Sequence, residues 1–208
     1  HYKNIISIHL SQKVSGTYQS AKNGSKNIQK SNIEIIDSQT AGAALGLLIM
    51  HAVDLKQAGK SHKQILDGIE QKKSDTHLYI LLYDLTYIVK GGRLPSKVKT
   101  VADLFGLTPI LSPRGGKLKV AGVLKGRSNI VNKFVKYIGK KINKEDNYRL
   151  LVAHANSEKN GKKLEQNILE KYDNISSSHL LELGGGLGCH AGPGALTIGI
   201  QKIDEVIE

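Results

Sequence analysis

The 208-residue chain contains one cysteine, Cys189, and no tryptophan. A single cysteine excludes the framework of internal disulfide bonds that small secreted domains commonly use. No apolar run approaches the roughly 20 residues that a helix needs to span a bilayer, and no stretch resembles a signal peptide. These absences favour a soluble cytoplasmic protein whose core is built mainly from Ile, Leu and Val.

The net charge of +12 is concentrated in one part of the sequence, here named the basic window (Lys90 to Lys141). It holds thirteen Lys or Arg residues and one acid, Asp103, while the rest of the chain is neutral overall. Such a window suits an acidic protein partner, a membrane surface or nucleic acid, but a solvated lysine-rich surface explains it equally well. Because it lacks interleaved aromatic residues and any known motif, no specific nucleic acid is expected.

The order of apolar runs predicts an α/β protein with two domains. The first part alternates strands with helices, which is typical of a parallel sheet flanked by helices. After Leu78 the pattern changes to a hairpin, with its turn at residues 113–116, followed by further crossovers. This change predicts an α+β domain with a mixed sheet. The predicted domains are therefore residues 1–75, the remainder of an αβα domain, and residues 76–208.

A candidate anion site follows the first predicted strand. Ser15, Gly16 and Thr17 begin a helix predicted over residues 15–30. Free amides and hydroxyls at a helix N-terminus bind carboxylate or phosphate, although Ser or Thr at this place is also the common helix cap. Ser11, earlier in the same loop, adds another hydroxyl.

A glycine-rich loop is predicted at residues 184–194, where six of eleven residues are glycine. His190 in this loop is a candidate hydrogen-bond donor to an anion or a general acid or base. No Gly-Lys-Ser/Thr follows, and a strand is predicted next, so neither a P-loop nor a dinucleotide fingerprint is present. Cys189 beside His190 is a weak candidate nucleophile, and no metal-ligand spacing is evident. The sequence predicts no metal and no cofactor.

Six segments, distributed along essentially the whole chain, form a pattern that is more specific than any single motif. They are IISIHLSQKVSGTYQSA, IDSQTAGAALGLLI, LTYIVKGGRL, FGLTPIL, LKGR and HAGPGALTIGI. In sequence and in order, these segments resemble those of the DegV family of fatty-acid-binding proteins.

The resemblance implies a monomeric two-domain carrier that is not itself an enzyme. It would hold one long-chain fatty acid with the acyl tail buried and the carboxylate at the domain interface. A separate ATP-dependent kinase subunit would then convert the bound acid to an acyl phosphate. Carried over by position, the carboxylate contacts are Ser15 and His190, joined by Ser11, Gly16 and Thr17. The residues facing the kinase or the phosphoryl group would be Arg93 and Arg127.

Two departures from the family pattern modify this expectation. The family commonly has a Ser-Ser or Thr-Ser pair where this chain has Ser11-Gln12, so one hydroxyl is missing. The family's first αβ units would lie before His1, so an N-terminal portion is expected to precede this sequence. An alternative function of another class is a small-molecule hydrolase or transferase that uses the same cleft, with His190 as its base.

Overall fold

The computed structural model describes residues 3–28 and 32–203, which form two β-sheets and the helices packed on them. The strands are β1 (Asn4–His9), β2 (Asn32–Asp37), β3 (Thr76–Leu81), β4 (Leu107–Arg114), β5 (Lys117–Lys125), β6 (Asn147–His154), β7 (Ile175–Glu182) and β8 (Leu196–Ile203). The helices are α1 (Thr17–Ser25), α2 (Gly42–Gln57), α3 (His62–Lys72), α4 (Thr86–Lys90), α5 (Ser96–Leu104), α6 (Ile130–Gly139), α7 (Glu158–Leu169) and α8 (Gly185–Ala191).

The two sheets differ in strand direction. β1 and β2 form a parallel pair, in register from Asn4 opposite Asn32 to His9 opposite Asp37. The other six strands form a mixed sheet with the order β5-β4-β3-β8-β6-β7. Only β6 and β7 are parallel in this sheet, and its other neighbouring strands are antiparallel. The predicted fold class, an α/β protein with a parallel sheet followed by a mixed sheet, is confirmed.

The mixed sheet separates two apolar layers, because successive side chains of a strand point to opposite faces. On one face, Tyr79 and Leu81 of β3 belong to the core that α6 and α7 complete around Phe134. On the other face, Leu78 of β3 packs with the first half of α2, and Leu82 packs with residues of α4, α5 and α8. The candidate site lies on this second face.

Helix α2 lies between the two sheets. Its residues Ala43, Ala44 and Leu47 pack on the mixed sheet. Leu55 near its other end joins α3 in a cluster that covers apolar side chains of β1 and β2. A helix that is apolar around most of its circumference is buried on more than one side. The Ala- and Leu-rich sequence of α2 therefore suits a helix that joins the two sheets.

The contact of α2 with the mixed sheet depends on Gly199 in β8. A Cβ atom at this position would lie 2.8 Å from both the Ala43 carbonyl carbon and the Ala44 nitrogen. We expect Gly199→Ala to lower the free energy of unfolding by about 1–3 kcal/mol, because backbone must shift to admit the methyl group. Chemical denaturation measures this. Gly24→Ala is the control, since that position in α1 has open space around it. Equal stability of the two variants would contradict the close approach.

Two local predictions are wrong, and one is confirmed. The helix predicted over residues 15–30 is shorter, with α1 ending at Ser25; residue 30 lies outside the described residues. The predicted glycine-rich loop at 184–194 contains helix α8. Glycine has poor helix propensity, but packing of the short helix against α4 outweighs it. The predicted hairpin is present, and its turn residues Gly115 and Gly116 both have positive φ, as a type I′ turn requires.

Candidate functional site

An apolar cavity of about 130 Å³ lies on the second face of the mixed sheet. Strand β3 and the residue after it supply Leu78, Ile80 and Leu82, whose spacing of two places them on the same side. The loops after β1 and β2, the β4–β5 hairpin, α4 and α8 complete the wall. Its other apolar side chains include Leu10, Val14, Ile88, Leu118, Leu183 and Leu187.

Six polar residues also line the apolar cavity, and they come from distant parts of the chain. They are Ser11, Ser15, Thr40, Arg93, His190 and Thr197. Ser15 and His190, which the sequence predicts to share one site, thus lie on the same cavity. Their role as carboxylate ligands stays a prediction.

Ser15 lies at the start of α1. Its Oγ accepts a hydrogen bond from the Thr17 amide at 3.3 Å and lies 3.1 Å from Thr17 Oγ1. Gly16 is the N-cap residue and offers no side chain. Gly16 and Thr17 are absent from the cavity lining, so their structural role here is to begin α1 and fix the Ser15 side chain. Their predicted contact with a carboxylate stays a prediction.

Ser11 is buried, and its hydroxyl is engaged. Ser11 Oγ donates to the Gly116 carbonyl at 2.8 Å and accepts from the Lys13 amide at 3.2 Å. Gly116 permits this approach, because a Cβ atom there would lie 2.5 Å from Ser11 Oγ. The bond ties the loop after β1 to the hairpin turn and closes one wall of the cavity. A carboxylate contact by Ser11, still a prediction, would have to replace that bond.

His190 lies in the last turn of α8, and its ring packs against Gly91 at the end of α4. A Cβ atom at residue 91 would lie 2.2 Å from His190 Nδ1 and 2.8 Å from Cε1. Gly91 has a φ of −70°, which any residue adopts. The requirement for glycine therefore comes from the imidazole and not from the backbone conformation.

Arg93 lines the apolar cavity and is also exposed, so its predicted role of facing a kinase or a phosphoryl group stays a prediction. Its Nε donates to the Val14 carbonyl at 3.1 Å, and its Nη1 donates to the Gly91 carbonyl. These bonds join Arg93 to the backbone of Val14, the residue before Ser15, and to the backbone of Gly91, against which His190 packs. Ser15, Arg93 and His190 all line the same cavity. We name Ser15, Arg93 and His190 the polar cluster. Arg93 forms no ion pair with any residue that the structure describes.

Arg127 lies outside the lining of the apolar cavity, near Tyr83 and Asp84. Hydrogen bonds from Thr86 hold the pKa of Asp84 below its usual value, and the charges of Lys99 and Arg127 lower it further. Burial raises the pKa of Tyr83, and Arg127 opposes that effect. Tyr83 also packs against Gly194, in the loop that follows α8. Arg127 is therefore exposed near the loop that follows His190.

Thr40 is a cavity residue that the sequence interpretation missed. Only 6% of its surface is exposed, and its Oγ1 has no hydrogen-bond partner among the described residues. Its carbonyl accepts from the Ser11 amide at 2.8 Å, which joins the loops after β1 and β2. The available signal was its place just beyond β2, since ligands bind beyond the carboxyl ends of parallel strands.

Among residues 3–28 and 32–203, no group of three or more His, Cys, Asp or Glu side chains is placed to hold a metal ion. None of the helices found there has both the length and the apolar character needed to cross a membrane.

The family model described as "Uncharacterised protein, DegV family" matches residues 1–202, and the chain therefore belongs to the DegV family. Protein DegV of Bacillus subtilis is 27% identical over 198 residues, which cover 95% of this chain and 70% of the relative. A DegV domain-containing protein of Clostridium perfringens is 26% identical over 202 residues, covering 97% of this chain and 71% of the relative.

Solved structures of DegV proteins share the fold. DegV of Bacillus subtilis, a fatty acid binding protein, matches with a TM-score of 0.83 and 26% identity over 97% of this chain and 71% of that one. A DegV family protein from Thermus thermophilus, described for its fatty acid binding, has a TM-score of 0.86 and 23% identity, and the match covers 97% of this chain and 71% of that one. A DegV family protein from Eubacterium eligens, loaded with heptadecanoic acid, has a TM-score of 0.83 and 19% identity. The match covers 97% of this chain and 74% of that one.

Proposed function

We propose that this chain binds a long-chain fatty acid in the apolar cavity, with the carboxylate at the polar cluster. The observation that carries the proposal is the combination of an apolar wall with Ser15, Arg93 and His190 in one cavity. Fatty acid binding by the Bacillus subtilis relative supports the same ligand.

The polar cluster meets the requirement of a partly buried carboxylate. Removing a charged group from water is costly unless it gains a charged partner and hydrogen bonds. Arg93 supplies a permanent positive charge, while the imidazole of His190 and the hydroxyl of Ser15 supply hydrogen bonds. The mostly apolar wall formed by β3, α4 and α8 accepts the acyl tail, whose burial supplies the larger share of the affinity.

A series of fatty acids of increasing length tests this assignment by calorimetry. Each methylene buried contributes about 0.8 kcal/mol, so the affinity is expected to rise about fourfold per carbon until the cavity is filled. The matching methyl esters are the control, because they keep the tail and lose the charge. Esters are expected to bind at least about tenfold more weakly than the acids. Equal binding of acid and ester would contradict a carboxylate at the polar cluster.

The close contact of Gly91 with His190 gives a second test within the same site. We expect Gly91→Ala to displace the imidazole and to weaken fatty acid binding about tenfold, the loss of one charge-assisted hydrogen bond. The fold should persist, since the backbone at residue 91 admits alanine. Gly185→Ala, in α8 with open space around it, is the control and should bind normally. Normal binding by Gly91→Ala would contradict the role of the His190 ring.

The finer part of the proposal is presentation of the bound acid to a separate ATP-dependent fatty-acid kinase. It is supported by Arg127, which is exposed near the loop after α8, and by the excess positive charge of the basic window. Positive surface charge favours encounter with an acidic partner and stabilises a phosphoryl group in transfer. The proposed domains are residues 1–75 and 76–208, a division supported by the two separate sheets. The apolar cavity takes side chains from both parts.

A further inference from the structure

A second cavity, of about 390 Å³, lies beside the apolar one. It is bounded by the start of β3, the β4–β5 hairpin and the end of α6, and we name it the polar cavity. The two cavities share Thr40, Leu78 and Pro113 in their linings. None of the three residues of the polar cluster lines it. The polar cavity is therefore distinct from the site at the polar cluster.

Positive charge converges on the polar cavity. Its lining includes Lys73, Arg114 and Lys141 and contains no Asp or Glu. Lys73 is neutralised by Glu70, at 2.5 Å. Arg114 and Lys141 form no ion pair with any residue in 3–28 or 32–203, although the Lys141 ammonium lies 5.5 Å from the centre of the Tyr137 ring. Two uncompensated cations thus face one concave surface.

Neutral hydrogen-bonding groups surround these cations. Burial raises the pKa of Tyr79 to about 12, with a further contribution from Tyr137, while Arg114 opposes the rise. Tyr79 therefore keeps its proton at neutral pH. Burial lowers the pKa of His77, because it disfavours the charged imidazolium; Asp75 opposes this change and Lys141 adds to it. Serine hydroxyls complete the lining, from Ser38, Ser74 and Ser112.

The hydroxyl of Thr40 has no hydrogen-bond partner among the described residues. A buried polar group without a hydrogen bond is rare, so such a group in a native protein usually meets a water or a ligand. Thr40 lines both the polar and the apolar cavity and is more than nine-tenths buried. A bound molecule with acceptor oxygens in either cavity would satisfy it.

We propose that the polar cavity binds a phosphate group, either free or as a small monoester, held by Arg114 and Lys141 and by surrounding hydroxyls. A phosphate dianion matches two uncompensated cations in charge, and the planar guanidinium can donate two parallel hydrogen bonds to its oxygens. The site is separate from the proposed fatty acid site, because neither Arg114 nor Lys141 lines the apolar cavity.

The test uses the whole chain and two probes, inorganic phosphate and methyl phosphate, titrated by calorimetry at constant ionic strength. Saturable binding of at least one probe to the unmodified chain is expected. Arg114→Gln and Lys141→Gln should each weaken it about tenfold, because each removes one charge-assisted contact. Lys140→Gln is the matched control, since it removes the same charge at the next residue, which is exposed and outside the lining. It should change the affinity less than about twofold.

The two probes separate the possible sources of the phosphate group. Tighter binding of inorganic phosphate assigns the site to the free ion, and tighter binding of methyl phosphate assigns it to an ester. The proposal is overturned if neither probe binds the unmodified chain saturably, or if Lys140→Gln weakens binding as much as Lys141→Gln does. Fatty acid content, measured on the same samples, should be unchanged in Arg114→Gln, so failure at one site is distinguishable from failure at the other.

Discussion

Replacement of His190 by alanine is expected to weaken the binding of a long-chain fatty acid about 10- to 100-fold, the equivalent of one charge-assisted hydrogen bond. The imidazole lies in the polar cluster. Gly91 leaves room for its ring, and the Arg93 guanidinium donates a hydrogen bond to the Gly91 carbonyl. Its removal leaves the carboxylate with fewer partners in a partly apolar site, and the desolvation cost is then less well offset.

Calorimetry with a single defined fatty acid measures this change. His179→Ala is the matched control, because His179 is exposed on β7 and lies outside the cavity lining. The control should bind as the unmodified chain does. If His190→Ala and His179→Ala bind equally well, the carboxylate does not meet His190, and the polar cluster is not the ligand site.

The second large effect is expected at Arg127. Arg127→Ala should leave fatty acid content unchanged and lower acyl-phosphate formation by the partner kinase at least about tenfold. Arg127 lies outside the apolar cavity, so its removal does not disturb the bound acid. It removes a positive charge that would otherwise attract an acidic surface or stabilise the phosphoryl group in transfer. The reaction should also slow as salt rises, because exposed charges are screened.

Lys136→Ala is the matched control for Arg127→Ala. Lys136 belongs to the same basic window and is exposed on α6, which covers the face of the mixed sheet opposite the apolar cavity. Bound lipid by mass spectrometry and acyl phosphate formed with the kinase are measured for both variants. An empty cavity in Arg127→Ala would place Arg127 among the carboxylate ligands. No change in either quantity would make the basic window a solvated surface without a role in phosphorylation.

The sequence predicted the fold class because the apolar periodicity of the strands reflects their burial directly. Strands β1, β3 and β8 have short, strongly apolar runs, and the hairpin turn has two consecutive glycines that a type I′ turn accepts. The helix α8 could not be predicted in this way. Its sequence is Gly185-Gly-Leu-Gly-Cys-His-Ala191, and its helical form depends on tertiary packing against α4.

The candidate site was predicted in part. Ser15 and His190 were placed in one site because both match, by position, the carboxylate-binding residues of the resembled family, which neither local motif reveals by itself. Thr40 and the closure of the cavity by Ser11 were missed, because each depends on the approach of two loops that are distant in sequence. The hydrogen bond of Arg93 to the Val14 carbonyl also joins distant parts of the chain, so the local sequence does not reveal it. The kinase-facing role of Arg93 stays a prediction.

Native mass spectrometry of the protein purified from cells is the decisive measurement of fatty acid binding. We expect added mass equal to one long-chain fatty acid, which is released when the protein unfolds and is depleted in His190→Ala but not in His179→Ala. Fatty acid binding is contradicted if the protein carries no added mass and stays unloaded when a long-chain fatty acid is supplied in excess.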